Sequence, residues 1–146
     1  MVQLANNTGT TVTELQVNWD WEKYRTGTRE FNGRFYTSTD GTTWNEQALG
    51  LQNFPADASN AGLATPTVVS KSLLLSGLNL SDSSPFFLRF ELEGVGGSTN
   101  GQGWGIDVFQ VVANPVPEPA TVLALSAVGF AGVTALRRRR SRRALG

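Results

Sequence analysis

Residues 15–22 alternate apolar and polar one by one: Leu15, Val17, Trp19 and Trp21 against Gln16, Asn18, Asp20 and Glu22. Only an extended strand sends every second side chain to the same side, so this stretch reads as a strand with one buried face. The pattern returns where Phe86, Leu88, Phe90 and Leu92 alternate with Phe87, Arg89, Glu91 and Glu93. It predicts that Trp21 and Phe90 are buried, facing opposite to Glu22 and Glu91. Further strands are expected at 31–38, 42–48, 67–75 and 104–112, with a turn at Ser38-Thr39-Asp40-Gly41 that brings 42–48 back antiparallel. Residues 49–66 hold Gly, Pro, Asn and Asp without period and read as a long loop. Residues 77–85 hold a turn, and 94–103 form a glycine-rich loop. No segment before Pro117 has helical period. Short strands separated by turn signals predict an all-β body, an antiparallel sandwich of jelly-roll type, over residues 1–114.

A second region, 115–146, obeys other rules. It opens with Pro115-Val116-Pro117-Glu118-Pro119-Ala120-Thr121, continues apolar to Leu136, and ends in Arg137, Arg138, Arg139, Arg140, Arg142 and Arg143. Residues 120–136 carry no charge; as a helix they would span about 25 Å, short of the roughly 30 Å hydrocarbon core. Their seven Leu, Val and Phe side chains offer only about −2 to −4 kcal/mol of insertion free energy. Such a marginal span suits a segment held in the membrane and then removed; the plainer alternative is a permanent anchor. The arginines should stay cytoplasmic, which places the body outside.

The formal charge of zero hides this division. Residues 1–114 hold eleven acids against six bases, a net of −5, and the tail is basic. The body therefore has no basic patch for nucleic acid, and the arginine run is explained by topology. Neither cysteine nor histidine occurs. Packing alone must hold the body, and the commonest general base and metal ligand is missing.

The run Val116-Pro117-Glu118-Pro119-Ala120-Thr121, followed by an apolar helix and arginines, closely resembles the PEP-CTERM sorting signal of exported proteins in bacteria that make extracellular polysaccharide. The resemblance implies recognition by an exosortase-type membrane protease, cleavage near Pro117-Glu118-Pro119, a transient single membrane span, and release to the cell surface, envelope or extracellular matrix. Stretches of the body resemble domains common in PEP-CTERM proteins. They include an opening hairpin at Asn6-Asn7-Thr8-Gly9, Glu22-Lys23-Tyr24-Arg25, the hairpin around Thr39-Asp40-Gly41, and a closing strand Gly103-Trp104-Gly105-Ile106-Asp107, where Val108 replaces the usual second acid. This second resemblance implies fold and context rather than chemistry. An export label of this kind needs an N-terminal export signal, and Met1-Val2-Gln3-Leu4-Ala5 lacks a basic start, an apolar stretch and a cleavage site. The chain is therefore expected to be a fragment lacking a signal peptide and the first strands of the domain.

Candidate sites are few, and each has a structural alternative. Ser38-x-Asp40-Gly41-x-Thr43-Trp44 resembles an Asp box, whose Asp and Ser satisfy turn amides. Glu91 and Glu93 share one strand face; they suit an acid pair or, equally, a solvated surface. Asp107 with Glu91, Glu93 or loop carbonyls from 94–103 offers oxygen ligands for a structural calcium ion; the alternative for Asp107 is a backbone or arginine hydrogen bond at a strand end. Trp44 and Trp104 are candidate stacking surfaces for sugar, while Trp19 and Trp21 lie on the apolar register and belong to the core. No catalytic constellation and no cofactor is apparent. The expected function is a non-enzymatic, exported protein of structural or adhesive type, with extracellular polysaccharide as a candidate partner. The alternatives are a carbohydrate-binding module and the C-terminal piece of an exported enzyme.

Overall fold

The computed structural model describes residues 1–96 and 100–115. They form one compact unit, Met1–Pro115. The expected membrane helix and arginine tail lie outside the described residues. Among the described residues, no helix is long and apolar enough to cross a membrane.

Among the described residues, eight strands make two antiparallel sheets. The first sheet runs β1 (Val2–Ala5), β7 (Pro85–Val95), β3 (Glu30–Ser38), β4 (Asn45–Glu46), with β5 (Gln52–Phe54) also paired to β3. The second runs β6 (Gly62–Leu75), β2 (Val12–Arg25), β8 (Gly103–Pro115). The alternation in β2 buries Leu15, Val17, Trp19 and Trp21, as the sequence predicts. From the facing sheet come Phe35, Phe54, Phe86 and Leu88. Aromatic rings meet across the gap: Trp19 lies 4.8 Å from Phe35, and Trp21 lies 5.9 Å from Phe54. Edge and tilted contacts of this kind add to the burial of the rings themselves. Phe90 touches Trp19, Trp21, Phe35 and Phe109. The expected burial is incomplete: Phe90 faces inward but is only half-buried, and it lines a cleft with Trp104 and Ile106.

Several expectations need correction. The opening Asn6-Asn7-Thr8-Gly9 is not a hairpin, because β1 pairs with β7 while β2 belongs to the other sheet. It is a crossover, and Asn6 holds it. The buried Asn6 amide donates to the carbonyls of Thr10 and Leu80, both at 2.8 Å, while its Oδ1 accepts from the Thr8 N–H and hydroxyl. Gly9 supplies the positive φ (73°) that the turn requires. The region 49–66 is not one loop. A 3-10 turn at Ala48–Gly50, strand β5 and the start of β6 fall within or beside it. The expected return strand at 42–48 shrinks to Asn45–Glu46. These edge pieces are too short to show a period.

Gly33 on β3 lies against the Trp21 ring of the facing sheet. A Cβ there would stand 2.8 Å from the Trp21 ring and 3.1 Å from Phe54. Gly33→Ala should therefore destabilise the body by about 1–3 kcal/mol through overpacking. Chemical denaturation checks this; an unchanged midpoint would show that the indole can move aside.

Candidate functional site

The outward register of β3 and β7 sets Tyr36 opposite Arg89, Arg34 opposite Glu91, and Asn32 opposite Glu93. These side chains build a charged and aromatic face. Arg34 donates from Nε to Glu93 at 2.9 Å and from Nη1 to Glu46 at 2.7 Å. Arg89 pairs with Glu91 at 3.3 Å. Its guanidinium carbon lies 4.5 Å from the Tyr36 ring centre and 4.6 Å from that of Trp44. A planar guanidinium against two rings is a cation–π arrangement. Burial first, then the nearby Glu46 and Glu91 carboxylates, push the Tyr36 hydroxyl above its usual pKa and keep it neutral.

Trp44 reaches this face from the turn that follows β3. Within that turn Asp40 Oδ1 accepts the N–H groups of Thr42 and Thr43, both at 2.7 Å, and the Ser38 hydroxyl at 2.9 Å. Ser38 Oγ accepts from the Gly41 N–H at 2.9 Å. The Asp-box resemblance thus has the structural meaning expected of it. The Thr43 and Thr42 amides, followed by side-chain donors, hold the Asp40 carboxyl well below the usual carboxylate range. A depressed folded-state pKa stabilises the turn fully above about pH 4, the unfolded value, and the contribution fades only as pH falls toward the folded pKa. The Thr42 and Thr43 amide resonances should therefore stay unchanged through pH 4 in an NMR titration. A midpoint near 4 would mean that these hydrogen bonds do not persist in solution.

Trp104 is differently placed. It lies in β8, half-buried, with its ring 3.5 Å from that of Phe54. Its indole N–H donates to Gln102 Oε1 at 3.0 Å, and the Gln102 amide in turn donates to the carbonyls of Arg29 and Pro55. Lys23, which bonds Asp57 at 2.8 Å, stands 5.6 Å from the same ring. Trp104 is therefore chiefly a packing residue. It also lines a cleft of ≈ 280 Å³ with Phe90, Glu91 and Ile106.

The three carboxylates considered for calcium are not brought together as a ligand set. Glu91 and Glu93 are engaged by Arg89 and Arg34, whereas Asp107 sits in the other sheet, opposite Asp20, and accepts the Val108 N–H at 2.7 Å. Among the described residues, no group of three or more acidic side chains is arranged to hold a metal. Sequence reasoning picked Trp44 but missed Arg89 and Tyr36. The signal was present, since Arg89 stands on the outward register beside Glu91. What could not be read was which strand lies next to β7.

The sorting elements Val116–Thr121 and the six arginines fall outside the described residues. For them the decisive observation is a family comparison: residues 115–140 match the family described as PEP-CTERM protein-sorting motif. The chain carries a PEP-CTERM sorting signal. It is accordingly an exported protein, sorted and processed at the membrane by an exosortase. The PEP-CTERM match begins at the last residue of β8 and leaves the body outside it. No curated protein and no solved structure matches the chain.

Proposed function

We propose that the body is a non-enzymatic jelly roll that serves a structural or adhesive role in the cell envelope or extracellular matrix. The observation that carries this reading is the PEP-CTERM motif directly following the last strand of an all-β unit. It addresses a small sandwich to the outside. The acid and base side chains on the body's charged face are tied to one another in ion pairs, which suits a surface rather than a reaction centre.

The jelly-roll reading rests on strand order. In a jelly roll the first strand lies beside the last, the last beside the third, and the third beside the sixth. The other sheet runs second, seventh, fourth, fifth. Taking β1 as the second strand and treating β4 as an accessory, β1-β7-β3-β5 and β6-β2-β8 match these neighbours except that no described strand stands first beside the last.

A second reading, carbohydrate binding, is favoured by the Tyr36–Arg89–Trp44 group on the outer face. Aromatic rings there offer sugar-stacking surface, and the net charge of −5 over residues 1–114 disfavours acidic polymers unless calcium bridges them. Affinity electrophoresis against neutral and acidic polysaccharides, with and without calcium, separates the two readings. Retardation by a neutral glycan that Trp44→Ala abolishes would establish the binding module. No retardation under any condition leaves the structural role. Release of reducing sugar would overturn the non-enzymatic reading altogether.

A further inference from the structure

We propose that the outer edge of β8 seats one more antiparallel strand, contributed by a segment of this chain lying upstream of Met1. The proposal rests on the jelly-roll reading above, which has a place beside the last strand that no described residue fills.

The chemistry of β8 is that of an inner strand. Natural edge strands are blunted with charges, prolines or short length. The opposite edge of the same sheet follows this rule, since β6 carries Pro66, which has no N–H, and Lys71. From Gly103 to Ala113, β8 holds a single charge, Asp107, yet Ile106, Val108, Phe109 and Val112 are all exposed, Val108 at 63%. Among the described residues, β8 pairs only with β2.

Two clefts mark the same open side. One, of ≈ 190 Å³, lies between β1 and the C-terminal part of β8 and is lined by Leu4, Val12, Phe86, Val111 and Ala113. The other lies between β7 and Trp104–Ile106. A strand along β8 would turn alternate side chains into both.

Chain direction favours the upstream segment over a second copy. A strand antiparallel to β8 finishes beside Trp104 and Ile106, the end of the sandwich that Leu92 also lines. β1 pairs Val2 with Leu88 and Ala5 with Pro85, so its first residue points toward that end. The link from such a strand into β1 is therefore short and crosses no other strand. One extra residue of β8 between the partners of Asn18 and Asp20, with Val108 at φ 51°, bulges the edge. The pairing accordingly falls into two runs on either side of it.

The test uses the exported protein as its own cell makes it, with the mature N-terminus read by mass spectrometry and amide exchange compared with a chain beginning at Met1. The expected mature chain extends at least a strand length, about 5–6 residues, upstream of Met1. The β8 amides not bonded to β2 should exchange about tenfold or more slower in it. Because the sequence has no cysteine, Val112→Cys with one cysteine scanned through the upstream segment gives a second read, a disulfide at a single register. It serves even if the shorter chain does not fold. A natural chain starting at Met1, unprotected β8 amides in the longer chain, or protection that vanishes on dilution and so belongs to a second copy, would each overturn the proposal. Protection of β6 by the upstream residues would instead show the jelly-roll order itself to be wrong.

Discussion

Glu118→Ala, in a full-length chain bearing its export signal, is expected to abolish release and leave the protein uncleaved at the membrane. The chemistry of the segment makes the effect close to all-or-none. Read from the sequence as a helix, residues 120–136 would insert with only about −2 to −4 kcal/mol, so retention is expected to depend on the arginines that follow and release on cleavage before them. Pro117 and Pro119 restrict the backbone on either side of a single carboxylate. Removing that carboxylate removes the one charge between Asp107 and Arg137. Membrane fractionation and mass spectrometry of the mature C-terminus read the outcome. Normal release of the variant would refute the assignment of Glu118 as the recognised group.

Trp19→Ala is expected to cost about 3–5 kcal/mol. Trp19 is 1% exposed and contacts Phe35 and Phe90 from the facing sheet. A domain whose total stability is about 5–15 kcal/mol, and which has no disulfide to limit the unfolded chain, would lose much of its folded population. Trp19→Phe should cost far less. The buried Trp19 indole N–H has no partner among the described residues, so Phe removes an unsatisfied donor along with some volume. Urea unfolding followed by far-ultraviolet circular dichroism compares the two variants. Equal midpoints for Ala and Phe would mean that the ring is not packed as described.

The long strands were legible because period-2 alternation survives over many residues. Leu15, Val17, Trp19 and Trp21 are all buried, and Arg89, Glu91 and Glu93 engage partners on the outward side. The turn chemistry of Ser38 and Asp40 was equally legible, since it depends on residues two or three apart. The short pieces were not. β4 has two residues and β5 three, too few to carry a period, and both exist because β3 offers them an edge. The misread hairpin at Asn6 has a related cause. A turn motif shows that the chain changes direction, but the Asn6 amide donates to the Leu80 carbonyl, far along the chain, and β2 pairs in the other sheet.

The candidate site divides along the same line. Trp44 could be chosen from the sequence because it follows a recognisable turn. Arg89 and Tyr36 became its neighbours only through the β3–β7 register, in which Tyr36 stands opposite Arg89. The same register ties Glu93 to Arg34, while Asp107 stands apart opposite Asp20 in the other sheet.

The sequence by itself determined the class of the body, the burial of its tryptophans in β2, and the export of the protein. Each depends on order along the chain: alternation selects a face, and the PEP-CTERM signal is a linear string of residues 115–140. Only the tertiary structure decided which strand lies beside which. Strand pairing is made by backbone hydrogen bonds that every residue except proline can offer, so composition leaves the neighbour open. The packing of Trp19 and Trp21 against Phe35, Phe54 and Phe90 then selects one arrangement of the two sheets.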